Sequence, residues 1–172
     1  MDFSPSSFRA ARALIGKDQD LVAAESGVPT HVVKRLERKG YSVPTKHAHD
    51  VRRYYGKEGL EFLEADKTAG PGVRWKNRER EDTFHRRQIH AGRVLIDLLQ
   101  ADFAEKLGVR RTAVTKFETD PSTKRPVEFF ELAMKVLEEA GVIFLPDSDD
   151  GGFGVRLAAA KLAAQPTKPG AG

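Results

Sequence analysis

The sequence predicts a mainly α-helical fold with short β-strands, built as two tandem units that each end in a strand pair. Three observations carry this. The chain repeats itself at an interval of 81 residues, with one extra residue later in the second copy. Within each copy, apolar residues recur at helical spacing between Gly and Pro breaks. After Gly59 and Gly141 the pattern shifts to short apolar runs separated by Gly-rich turns.

The repeat is specific. Aligning Phe8–Glu37 with Ile89–Glu118 gives ten identities in thirty pairs, among them Arg12/Arg93, Gln19/Gln100, Ala23/Ala104, Gly27/Gly108, Val33/Val114 and Glu37/Glu118. Average composition would give roughly two by chance. The match continues through Pro44/Pro126, Gly59/Gly141 and Phe62/Phe144, and ends on Gly-x-Gly-Val-Arg at Gly70–Arg74 and Gly152–Arg156. The units are therefore 1–80 and 81–158, followed by a Pro/Gly-rich tail over 159–172 that reads as disordered.

Each element has a local cause. Ser4-Pro5 offers an N-cap and a first-turn proline to a helix whose apolar face is Phe8, Ala11 and Ile15. A second helix is expected over Gln19–Glu25, and Gly27 supplies the residue that can take positive φ at its end. Pro29 opens a third helix with Val32, Val33 and Leu36 inward, Leu36 and its counterpart Phe117 being core anchors. A fourth helix is expected over Thr45–Lys57 and Val127–Ala140. Leu60–Leu63 with Val73–Trp75, and Val142–Leu145 with Val155–Leu157, read as strands whose Gly-rich intervals are turns. Trp75 reads as a sheet-packing residue, and Asn77–Asp82 as the linker or an extension of the next helix. The strand pairs are expected either to join the units into one sheet or to pair across a homodimer.

Composition excludes several classes. The 172 residues carry no cysteine, so disulfides, thiol catalysis and thiolate metal sites are out. No run approaches the roughly 18 apolar residues of a membrane span, and no secretory signal is recognisable, so a cytoplasmic protein is expected. Histidines such as His47, His49, His85 and His90 lack metal-ligand spacing, and no nucleophile–base set is evident. Neither enzyme activity nor a cofactor is expected. Charge is uneven: residues 1–80 hold 16 Lys/Arg against 11 Asp/Glu, and the remainder 13 against 14. The first unit thus suits an anionic partner.

The informative spacing is Gln19-x3-Ala23-x3-Gly27-Val28-x4-Val33-x2-Leu36-Glu37, with Gln100, Ala104, Gly108, Val109, Val114, Phe117 and Glu118 in the second copy. A small residue in the second helix lets the third cross closely, the glycine makes the turn, and the valine fills the gap. That is helix-turn-helix geometry, whose second helix enters a major groove. At these residues the chain resembles the phage-repressor (Cro/CI, or XRE) family over roughly residues 8–58 and 89–140; the strand pairs lie outside the family's minimal domain.

The resemblance implies double-stranded DNA as partner and assigns roles. Gln19 and Gln100 would hold phosphates. Thr30, His31 and Arg35, with Arg111, Thr112 and Lys116, would face bases, Arg suiting guanine and Thr a hydroxyl contact or the thymine methyl. Lys34 and Arg110 flank these positions. Eight Lys/Arg fall within residues 30–57, among them Arg38, Lys39 and Lys46, and Lys124-Arg125 follows the third helix of unit two. These would meet the DNA backbone and set affinity and salt dependence. Glu37 and Glu118 are read as structural.

The expected function is a nucleoid-associated transcription regulator, a repressor by resemblance, with its third helices in successive major grooves roughly ten base pairs apart. The acidic fourth helix of unit two, with Glu128, Glu131, Glu138 and Glu139, leaves open a contact with RNA polymerase or another regulator. The alternative is a protein-binding antiactivator or antitoxin-like module that kept the fold.

Overall fold

The computed structural model describes residues 3–40 and 44–159, so the expected tail lies outside the described residues from 160 onward. The fold is mixed α/β, about half helical. The first copy comprises α1 (Pro5–Ile15), α2 (Gln19–Ser26), α3 (Thr30–Leu36), α4 (Thr45–Lys57), β1 (Leu60–Leu63) and β2 (Ala69–Trp75). A 3-10 turn at Thr83–His85 leads to α5 (Arg86–Leu95), α6 (Gln100–Lys106), α7 (Arg111–Thr119), α8 (Val127–Glu139), β3 (Val142–Leu145) and β4 (Gly154–Ala158). Among the described residues no helix is long and apolar enough to cross a membrane.

Helix boundaries follow local chemistry. Gly27 ends α2 with φ of 70°, in the left-handed region that glycine enters without a side-chain clash. Pro29, Pro44 and Pro126 immediately precede α3, α4 and α8, where their fixed φ favours a helix start. The Asp18 carboxylate caps α2 by accepting from Leu21 N at 2.8 Å. Ser4 stands at the expected N-cap of α1 but makes no side-chain cap; its hydroxyl pairs with that of Ser6 at 2.6 Å.

All four strands join one antiparallel sheet, in the order β1-β2-β4-β3. The strand pairs thus unite the two copies within the chain. From Gly72 to Arg74 the register is self-matching: Gly72 opposes Arg156, Val73 opposes Val155, and Arg74 opposes Gly154, the register shifting only beyond Gly72 towards Ala69. Each pair maps onto its mirror when one copy is exchanged for the other. The outer pairs obey the same rule, Leu60–Trp75 matching Val142–Leu157 and Leu63–Gly72 matching Leu145–Gly154. A pseudo-two-fold axis therefore passes through the buried Val73–Val155 pair.

This corrects the reading of the Gly-x-Gly segments as turns. Gly70 and Gly72 lie within β2, and Gly154 begins β4. A Cβ on Gly72 would collide with the Val155 carbonyl oxygen, and one on Gly154 with that of Val73. The glycines allow the central strands to approach, which periodicity could not reveal because the partner strand is some 80 residues away.

Beneath the sheet, α1 and α5 make the most extensive helix–helix contact. Nearly the whole circumference of α1 is covered, including Phe8, Ala10, Ala11, Ala13 and Leu14, as befits a central helix. Two arginines staple the copies. Arg9 Nε donates to Val94 O (2.9 Å) and its Nη2 lies 3.6 Å from Asp97. Arg87 Nη1 donates to Leu14 O at 3.1 Å. Trp75 is buried against Phe153, with Arg80 stacked over its ring at 3.9 Å. The linker Asn77–Asp82 does not extend α5; Asp82 instead accepts from Arg87 N (2.8 Å) and Gln88 N (3.0 Å) at the start of that helix.

Candidate nucleic-acid interface

In α3, Val32, Val33 and Leu36 point into the core, which turns His31, Lys34 and Arg35 to solvent and leaves Thr30 half-buried. In α7, Val114 and Phe117 are inward, while Arg111, Thr112 and Lys116 are exposed. Burying such a side chain is worth about 1.5–3 kcal/mol, enough to hold each short helix against its unit. The polar residues gathered on each outward face are thus displayed by apolar anchors on the opposite face. Arg110 precedes α7 and is exposed, as are Arg38, Lys39, Lys46 and Lys124. Arg125 is half-buried, with its guanidinium 5.5 Å from the centre of the Phe129 ring, so part of it serves packing.

The third helices are held by a clamp built twice from the same residues. Arg12 reaches both oxygens of Glu37 at 2.7 and 3.0 Å, and Gln19 Nε2 donates to Glu37 Oε2 at 2.7 Å. Arg93 reaches Glu118 at 2.6 and 2.8 Å, and Gln100 Nε2 donates to Glu118 Oε2 at 2.7 Å. The same arginines close the turn between the first two helices by donating to Lys17 O and Leu98 O. Burial opposes charge on Arg12, but the bonds to Glu37 outweigh it and hold its guanidinium above the ordinary range. Glu37 and Glu118 are therefore internal to the fold, at 4% and 1% side-chain exposure. Gln19 and Gln100 each commit an amide nitrogen to this clamp, and Gln100 Oε1 accepts from Thr115 Oγ1 at 3.0 Å.

Unit two adds a device that the repeat does not contain. The buried Arg86 guanidinium donates to the carbonyls of Phe117 and Asp120, to Pro121 O (3.2 Å) and to Thr123 O (3.1 Å). It ties down the loop that carries Lys124 and Arg125. Its counterpart in the first copy is Pro5, so nothing in the sequence signalled it. The Arg12–Glu37 and Arg93–Glu118 clamps did leave a signal, as charged identities in a repeat whose surfaces otherwise diverge.

Two clefts lie at equivalent places where the copies meet. One is lined by Arg9, Gln19, Arg38 and Lys39 of the first copy and Asp97 of the second. The other is lined by Gly16, Lys17 and Asp18 of the first and His90, Thr119 and Pro121 of the second. Burial pushes His90 down to about 4, against the opposing pull of Glu118, whose Oε2 is 3.6 Å from its Nε2. Among the described residues, no three His, Asp or Glu side chains converge as a metal-ligand set. Compared with known proteins, the chain matches no protein-family model, no curated protein and no solved structure.

Proposed function

We propose that the protein is a sequence-specific, double-stranded-DNA-binding transcription regulator that represses by occluding promoters. On this reading α2–α3 and α6–α7 are tandem helix-turn-helix pairs, with α3 and α7 reading major grooves. One observation carries it. An identical Arg–Glu–Gln clamp positions each third helix, while the outward residues at equivalent places are polar and different: Thr30/Arg111, His31/Thr112 and Arg35/Lys116. A helix held by a repeated clamp and carrying different polar residues on its outer face suits a reading head. The exposed Lys34, Arg38, Lys39, Lys46, Arg110 and Lys124 supply positive charge for the phosphates. A place in the cytoplasm at the nucleoid follows from this function.

The test is a footprint on operators selected from genomic duplex fragments. Replacing Thr30, His31 and Arg35 together by Ala should erase protection of one half-site and weaken specific binding about 100-fold or more. An unchanged footprint would overturn the assignment of α3. A second reading, protein contact through unit two with RNA polymerase or another regulator, is favoured by α8, where Glu128, Glu131, Glu138 and Glu139 are exposed beside exposed Val127 and Leu132. Under it, alanines at Arg111, Thr112 and Lys116 leave DNA affinity unchanged.

A further inference from the structure

We infer that one copy of this chain, binding as a monomer, reads an inexact inverted repeat: two unlike half-sites on opposite strands. The inference rests on the DNA-binding reading above and adds the architecture of the DNA site. Duplicated units in tandem would suggest half-sites in tandem, both pointing the same way. The sheet register argues otherwise. Residue pairs 72–156, 73–155 and 74–154 exchange with one another when the copies are swapped, and the outer strand pairs do the same. The copies are thus related by rotation about an axis that passes between Val73 and Val155, not by translation.

Two further observations extend that rotation to the helices. Arg9 reaches Val94 while Arg87 reaches Leu14, so α1 and α5 are tied in opposite directions. The cleft joining Arg38 and Lys39 to Asp97 has its rotated counterpart in the cleft joining Thr119 to Gly16. These positions correspond, 38 with 119 and 16 with 97, under the repeat offset of 81. The C-terminal end of each third helix therefore lies against the turn between the first two helices of the other copy. The first of these clefts brings Gln19, Arg38 and Lys39, proposed backbone contacts of the first copy, against Asp97 of the second.

Duplex DNA has two-fold axes perpendicular to its length, and heads related by such an axis meet half-sites of opposite orientation. In an ordinary dimer the heads are identical and the site is palindromic. Here the heads differ at Thr30/Arg111, His31/Thr112 and Arg35/Lys116, so the halves of the site must differ too. A second chain is not needed, because β2 and β4 already pair with each other at the sheet centre.

The experiment is selection of the full chain on a random duplex library, with stoichiometry measured by native mass spectrometry. We expect one chain per duplex and two unlike motifs in inverted orientation, spaced about ten base pairs apart. Reversing one motif to make a direct repeat should weaken binding about 100-fold or more. The surface variant R111T/T112H/K116R should shift preference towards an exact palindrome of the first motif. Equal binding to direct and inverted arrangements, two chains per site, or an unmoved preference in that variant would overturn the inference while leaving specific DNA binding intact. Failure to enrich any motif would overturn the DNA reading itself, and the inference with it.

Discussion

The two copies solve one packing problem in two ways. Unit one concentrates aromatic bulk between α1, α4 and the sheet, where Phe8, Tyr55 and Phe62 meet at ring separations of 5.3 to 6.4 Å. In unit two the corresponding positions are Ile89, Leu137 and Phe144. The bulk moves towards α7, where Phe117 packs on Phe129 and Phe130, and Phe84 stacks on Phe130 at 4.7 Å. Leu36 and Ala48 stand where unit two has Phe117 and Phe130. A core tolerates such redistribution when volume lost in one layer is regained in another. The Arg–Glu–Gln clamp tolerated none, because its bonds require those three groups in one geometry.

Breaking the clamp should give the largest effect and also separate the units. In unit two Arg93 and Glu118 retain 9% and 1% side-chain exposure, whereas Arg12 in unit one keeps 23%. Replacing Glu118 by Ala strands a guanidinium away from water and should cost about 3–5 kcal/mol. Replacing Glu37 should cost less, since water can reach Arg12. Urea denaturation of both variants checks the order; equal losses would show that the clamps are energetically equivalent.

A smaller contrast lies at one position, Arg9 in unit one and His90 in unit two. Burial lowers the His90 pKa to about 4 from an ordinary value near 6.5. The unfolded chain therefore binds a proton that the folded chain refuses. The associated stability is fully present above pH 6.5 and is lost as pH falls towards 4, on the order of 2 kcal/mol with partial exposure allowed for. His90→Gln should flatten the stability profile across that window. A profile unaltered by the substitution would assign the acid sensitivity elsewhere.

The smallest contrast is at the second helices. Asp18 caps α2, but Leu99 holds the equivalent place before α6, caps nothing and is 65% exposed. Asp18→Ala should destabilise by about 1 kcal/mol and Leu99→Asp should stabilise by a similar amount. The added carboxylate would sit on the proposed DNA-facing side, so Leu99→Asp should also weaken DNA binding. Calorimetry paired with a binding titration reads both signs; stabilisation with unaltered DNA affinity would place Leu99 off the interface.

Much of the local structure was legible. The bounds of α4, β1 and β3 match the sequence expectation residue for residue, because prolines, glycines and a change of period mark them. The outward placement of His31, Lys34, Arg35, Arg111, Thr112 and Lys116 followed from the same periodicity. Gln19 and Gln100 begin the second helices, as the sequence predicts, but spacing gives no sign of their bonds to Glu37 and Glu118. A hydrogen bond between residues 18 apart leaves no periodic trace. Arg86 was invisible for a similar reason, since its partners are backbone carbonyls and backbone carries no sequence identity.

The sequence by itself determined the duplication, the helices and strands, and which side chains face outward, because all of these rest on spacing within a few residues. Only the tertiary structure decided that the copies face each other across a shared axis. That arrangement depends on strands some 80 residues apart in the chain finding a common register at Val73 and Val155. Local propensity has no reach over such a separation; close approach at glycine and burial of two valines select it.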